Sequence, residues 1–110
     1  MPDRESGDRS AALHAEAKKV RADALRTRIM ATTTFCEVAE RQAKWESVEA
    51  ARQTLEKAWE RIEESDRHIQ EPNHVTPESA TMLRSLLRKL EKRAAQIEAN
   101  LEQQPDKAEE

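Results

Sequence analysis

The sequence predicts an all-α protein, and three features of its composition and residue spacing support that class. Charged residues make up 37% of the 110 residues and the chain contains a single glycine, a composition typical of long helices and coiled coils. Apolar residues recur at alternating steps of four and three, the heptad pattern of amphipathic helices. No segment shows the alternation of apolar and polar residues that is typical of a strand.

The length of the chain predicts one domain between two short tails. Residues 1–9 and 104–110 are polar and each stretch contains a proline. We therefore predict a disordered N-terminal tail and a disordered, acidic C-terminal tail. A single helical domain is expected to span residues 10–103.

A loop divides this domain at the segment EPNHVTPE, residues 71–78. Pro72 ends one helix, while Thr76 can cap the next helix and Pro77 suits its first position. We predict a loop over 71–76 and a helix over 77–103. A short connection makes neighbouring helices antiparallel, so the expected core of the fold is a helical hairpin.

The run Thr32–Thr34 leaves two architectures open upstream of this loop. If the helix is continuous, it spans residues 10–70 and forms an antiparallel hairpin whose long N-terminal helix has a coiled-coil-like seam. If the helix breaks there, Thr34 caps a new helix with Glu37 completing a capping box, and the chain is a three-helix bundle. The unbroken heptad phase and the absence of Gly or Pro favour continuity.

Two adjacent apolar stripes on the first half of the long helix predict that it contacts more than one other helix. The return helix covers only the second half, so we expect the first half to associate with another chain. Three charged residues on the seam, Arg41, Arg52 and Asp66, are expected to set its register. The predicted interface residues are Leu13, Val20, Leu25, Ile29, Cys36, Val38, Arg41, Trp45 and Arg52.

These features predict a small helical protein–protein interaction module of the adaptor, chaperone or regulator type. Its expected partner is a second copy, most simply in a dimer, or another helical protein. An alternative is a small all-α enzyme or ligand-binding bundle with an anion pocket around Arg41 and Arg52. A third is a weak nucleic-acid-binding regulator that uses residues 18–28, which carry five positive charges and one negative charge, although the net charge of −3 disfavours it.

The sequence predicts no catalytic, cofactor-binding or metal-binding residues, and we do not expect an enzyme. One glycine cannot build a phosphate-binding loop. His14, Cys36, His68 and His74 lack the spacing of a metal motif, and although His68 and His74 can approach each other, two ligands do not make a site. The single cysteine and the absence of a signal-like or membrane-spanning run predict a cytoplasmic protein without a membrane partner.

Overall fold

The computed structural model describes residues 2–104, with side chains from residue 9 onward, and confirms the all-α class. It contains three helices, α1 (Pro2–Trp45), α2 (Val48–Gln70) and α3 (Pro77–Gln103). Each helix packs against the other two, and the molecule is elongated, with a long dimension of 78 Å. Within residues 2–104 there is no strand.

Helix α1 continues through the three threonines without a break. The hydroxyl of Thr32 donates to the carbonyl oxygen of Arg28 at 2.8 Å, and that of Thr33 donates to the carbonyl oxygen of Ile29 at 3.2 Å. These bonds to the preceding turn satisfy the hydroxyl groups inside a helix. The three-helix alternative that placed the break at Thr32–Thr34, with Thr34 as cap, is therefore wrong in its position.

The helix predicted over residues 10–70 is also wrong, because the chain breaks between Trp45 and Val48. Ser47 is extended, with φ −150° and ψ 153°, and its hydroxyl oxygen accepts from the backbone N–H of Ala50 at 3.0 Å. A serine cap satisfies one of the orphan donors at a helix start. The break at Ser47, and not one at the threonines, separates α1 from α2 and gives the chain three helices.

Replacing Ser47 by Ala should lower the free energy of unfolding by about 1 kcal/mol, since the cap of α2 is lost. Urea unfolding followed by circular dichroism measures the change. The matched control is Ser85→Ala, at an exposed position inside α3, where alanine has the higher helix propensity and stability should not fall. Equal stability of the two variants would contradict the capping role.

The turn from α2 to α3 has the chemistry expected from the sequence. Glu71 is the C-cap of α2, and Asn73 adopts a left-handed conformation with φ 59°. The hydroxyl oxygen of Thr76 accepts from the backbone N–H of Ser79 at 3.2 Å, and Pro77 occupies the first turn of α3. The observed bounds of α3 are those expected for residues 77–103.

The two ends of the chain differ in how they meet the prediction. Helix α1 begins at Pro2. The disordered tail predicted over residues 1–9 is therefore helical over nearly all of its length. Proline is favoured at the start of a helix. Gln104 is the C-cap of α3. The rest of the predicted acidic tail, residues 105–110, and Met1 lie outside the described residues.

All three helices contribute to one core along the axis of the bundle. Helices α2 and α3 supply mainly large aliphatic side chains, whereas α1 supplies several small ones. The core residues of α2 and α3 include Leu55, Ile62, Ile69, Leu83, Leu87, Leu90, Ile97 and Leu101, and those of α1 are Ala22, Leu25, Ile29, Thr32, Cys36 and Ala39.

Cross-helix contacts fix how far α1 extends beyond the bundle. The guanidinium of Arg93 lies 3.0 Å from the carboxylate of Glu40, and Arg21 donates to the carbonyl oxygens of Asn73 and His74 in the turn, at 3.5 and 3.3 Å. The turn thus lies beside Arg21, and every residue from 9 to 16 is exposed. We call residues 9–16 the arm, because it projects past the turn.

Candidate interaction surface

Helix α1 has two apolar faces, and the core covers only one of them. A second row follows the heptad steps of four and three along the other side of the helix; we call this row the outer seam. At about 100° per residue, its centre lies about 150° from the centre of the core face. The outer seam consists of Leu13, Ala17, Val20, Ala24, Thr27, Ala31, Thr34, Val38, Arg41 and Trp45.

The large apolar residues of the outer seam are open to solvent. Trp45 is 74% exposed, Leu13 68% and Val20 57%; Val38 is at 37%. Met30, beside the seam near its middle, is 59% exposed. Scattered apolar residues on a surface are ordinary, but these four seam residues lie on one side of α1 at positions related by the heptad step. The seam runs from residue 13 to residue 45, about 48 Å at 1.5 Å per residue.

Three of the predicted interface residues are not available to another chain. Leu25 and Ile29 are 3% exposed and Cys36 is fully buried. All three lie on the core face of α1, against α2 and α3. The prediction placed them at an intermolecular interface because it left the first half of α1 without neighbours; the break at Ser47 brings α2 and α3 back over it.

Burial also decides the chemistry of Cys36. Desolvation raises the pKa of this thiol, and Glu40 and Glu37 raise it further, while Arg93 acts in the opposite direction. A thiol with a raised pKa carries less of the reactive thiolate. Cys36 is therefore a buried core side chain whose thiol is held toward its protonated form.

Arg41 and Arg52 line two different depressions. Arg41 lines a shallow depression together with Glu37, Glu40, Lys44 and Trp45. Arg52 lines a separate depression that contains three carboxylates, those of Glu56, Glu98 and Glu102. Carboxylates beside each guanidinium oppose the binding of an anion, so neither depression supports the anion-pocket alternative.

The basic segment, residues 18–28, is partly engaged within the chain. Arg21 holds the turn through two carbonyl oxygens, and Arg28 forms an ion pair with Glu64 at 3.1 Å. Lys18 is half-buried. Lys19 and Arg26 are exposed, so the segment presents a smaller free positive charge than its composition suggests.

A group that the sequence analysis did not predict lies at the turn. His68, Glu71 and His74 converge there, with one ligand atom from each residue within 4.8 Å of the others. The imidazole rings of His68 and His74 are stacked, with centroids 5.5 Å apart. In the sequence these residues show the even spacing H-x-x-E-x-x-H, which is not a helical metal motif. The three side chains converge because the chain turns at Asn73.

The fold and its surfaces define the chain as a three-helix protein with an exposed helical seam. Comparison with protein-family models, curated proteins and solved structures finds no significant match. Among the helices in residues 2–104, none combines the length and apolar character needed to cross a bilayer.

Proposed function

We propose that this chain is a cytoplasmic helix-association module, and that its partner is a second copy bound through the outer seam of α1. The two copies pair antiparallel and form a short coiled coil from their α1 helices. The observation that carries this proposal is the row of exposed apolar side chains opposite the core face. Helix pairing buries such a row by packing side chains of one helix into gaps of the other.

An antiparallel register centred on residue 29 pairs every position of the outer seam with another position of the seam. In that register each end of the seam meets the opposite end of the second copy. Apolar or small residues then face each other in four of the five kinds of layer, and Met30 of each copy lies near the two-fold axis. The layers are Leu13 with Trp45, Ala17 with Arg41, Val20 with Val38, Ala24 with Thr34, and Thr27 with Ala31.

Charge supports the same orientation. In that register, the exposed Lys19 and Arg26 of one copy lie opposite residues 32–39 of the other, a stretch that carries no basic residue. In a parallel pair, the basic segment would face itself and Arg41 would face Arg41. Like charges across a helix interface oppose association and so specify orientation.

The arm also gains a neighbour in this arrangement. In the antiparallel register, residues 9–16 lie along residues 42–49 of the second copy, at the junction of α1 and α2. The arm is exposed in the single chain, and the dimer covers it. Arg41, opposite Ala17 of the second copy, lies near Glu16 and can form an ion pair at the rim.

Cross-linking tests both the surface and the orientation. In a Cys36→Ala background, Val20→Cys and Val38→Cys proteins are prepared separately and mixed, then treated with a short bifunctional maleimide. The antiparallel register places positions 20 and 38 side by side, whereas the two copies of position 20 are about 27 Å apart along the helices. We expect cross-linked heterodimers in the mixture and none with Val20→Cys alone.

Two results would contradict this arrangement. Rapid cross-linking of Val20→Cys with itself would show parallel pairing. No cross-linking in any combination would show that the outer seam does not bind a second copy. The matched control is Met82→Cys, at an exposed position of α3 away from the seam, which should not cross-link to Val38→Cys.

A further inference from the structure

We propose that His68, Glu71 and His74 form a binding site for a divalent transition-metal ion, with Zn²⁺ as the expected occupant. The site lies where α2 ends, so a bound ion would hold the turn between α2 and α3. The three side chains supply two imidazole nitrogens and one carboxylate, a donor set that suits Zn²⁺ and related ions. This inference is independent of the proposed self-association.

Two of the three separations between the ligand atoms match those of a single coordination sphere, and all three are within 4.8 Å. Nδ1 of His68 lies 3.3 Å from Oε1 of Glu71, and Nδ1 of His74 lies 3.3 Å from Oε2 of the same carboxylate. Two ligands of a tetrahedral zinc ion, each bonded at about 2.0–2.1 Å, are about 3.3–3.4 Å apart. Small side-chain rotations therefore suffice to admit the ion.

One of the donor atoms has no hydrogen-bond partner in the described chain. Nδ1 of His68 is shielded from solvent, yet it makes no hydrogen bond among the residues that the structure describes, despite its short distance to Glu71. Buried polar atoms in native proteins are normally satisfied, and an orphan calls for an explanation such as a missing ion. A metal bond to this nitrogen would provide one.

The backbone holds the three residues in place. The left-handed Asn73 turns the chain, and the backbone N–H of His74 donates to the carbonyl oxygen of Glu71 at 3.2 Å. Arg21 of α1 clamps the turn through the carbonyl oxygens of Asn73 and His74. The three ligand residues are thus held in place before an ion binds. Less conformational entropy is then lost on binding.

The charges around the site favour a cation. His68 lies in the last turn of α2 and Glu71 is its C-cap, so the site is at the negative end of the helix dipole. Glu64 adds a second carboxylate, 3.8 Å from Nε2 of His68. At 3.8 Å the two groups are too far apart for a hydrogen bond, so Glu64 acts on the site through its charge. Arg21 and Arg28 oppose this field, but Arg28 is paired with Glu64.

Three protein ligands leave the fourth position of a tetrahedral ion open. His74 and His68 have partly exposed side chains, and Glu71 is about half exposed, so the ion and a fourth ligand can reach the site from solvent. Closed structural zinc sites use four protein ligands, whereas sites with three accept water or an external group. We infer that the fourth ligand here is water.

The test uses the full chain without a histidine tag, and Zn²⁺ alone as the probe. Isothermal titration calorimetry should show one ion per chain, and Co²⁺ should give the strong visible absorption of a four-coordinate complex. Loss of an outer partner of a ligand costs about 10- to 100-fold in affinity, so loss of a ligand itself, in His74→Ala or His68→Ala, should cost at least about 100-fold.

Matched variants decide between this site and other donors. His14→Ala removes a histidine outside the site, and Cys36→Ala removes the thiol; neither should change the affinity. Glu71→Gln keeps the shape of the side chain but removes its charge, and it should weaken binding while the fold, followed by circular dichroism, stays intact. The absence of 1:1 binding, or an affinity unchanged in His74→Ala and His68→Ala, would overturn the proposal.

Discussion

Replacing Leu83 by Ala should lower the free energy of unfolding by about 2–5 kcal/mol, the largest single-residue effect expected in this chain. Leu83 is fully buried in the core face of α3. Removing its isobutyl group loses both the transfer free energy of the side chain and the contacts around the cavity that remains. Urea unfolding at a fixed protein concentration measures the loss, since association changes apparent stability.

Met82→Ala is the matched control for this substitution. Met82 precedes Leu83 in the same helix and is 44% exposed. Substitutions at such surface positions usually change stability by no more than about 0.5 kcal/mol. If the two variants lost equal stability, the face of α3 that packs on α1 and α2 would have been assigned wrongly.

Trp45→Ala should weaken self-association at least about 30-fold, equivalent to about 2 kcal/mol, while leaving the single chain folded. Trp45 is the most exposed of the large apolar residues described, so its removal opens no cavity in the core. In the proposed dimer it packs on Leu13 of the second copy, and the substitution changes both ends of the seam. Sedimentation equilibrium measures the dissociation constant.

The same Met82→Ala variant serves as the control for association. It removes an exposed apolar side chain of α3, outside the outer seam, and should not change the dissociation constant. Equal effects of Trp45→Ala and Met82→Ala would indicate non-specific hydrophobic contact. No effect of Trp45→Ala would exclude the end of the seam from the interface.

The downstream half of the fold follows closely from local sequence signals. Pro72, Thr76 and Pro77 each restrict the backbone in a definite way, and the turn and the start of α3 lie where they indicate. The heptad positions of α3, among them Leu87, are buried as the periodicity predicts, and so are the aliphatic ones of α2, such as Leu55. The heptad positions of α2 that are not buried are Arg52, Trp59 and Asp66. Here one helix face is clearly more apolar than the other, and local chemistry suffices.

Helix α1 shows where the same reasoning fails. Its outer seam contains larger residues, such as Trp45 and Leu13, while its core face relies on small ones such as Ala39 and Thr32. Small residues allow helices to approach closely. Their contribution to packing therefore depends on where the neighbouring helices lie, which spacing does not show. The heptad spacing therefore identified both apolar faces of α1, but it did not show which of them packs against α2 and α3.

Two further features depended on information that spacing does not contain. The heptad phase runs on unbroken through Ser47, so the break at this residue is visible only in its backbone conformation and cap. The cluster of His68 and His74 with Glu71 forms because Asn73 adopts a positive φ and Arg21 holds the turn from α1. Such convergence across a turn is a tertiary property.

The mass of the chain in solution tests the central claim most directly. Light scattering coupled to size-exclusion chromatography, over a series of concentrations, should give a mass of about 25 kDa, twice the 12.6 kDa of one chain. The Trp45→Ala variant should shift toward the single-chain mass at the same concentrations. A mass of 12.6 kDa for the unmodified chain at every concentration would show that the outer seam does not join two copies.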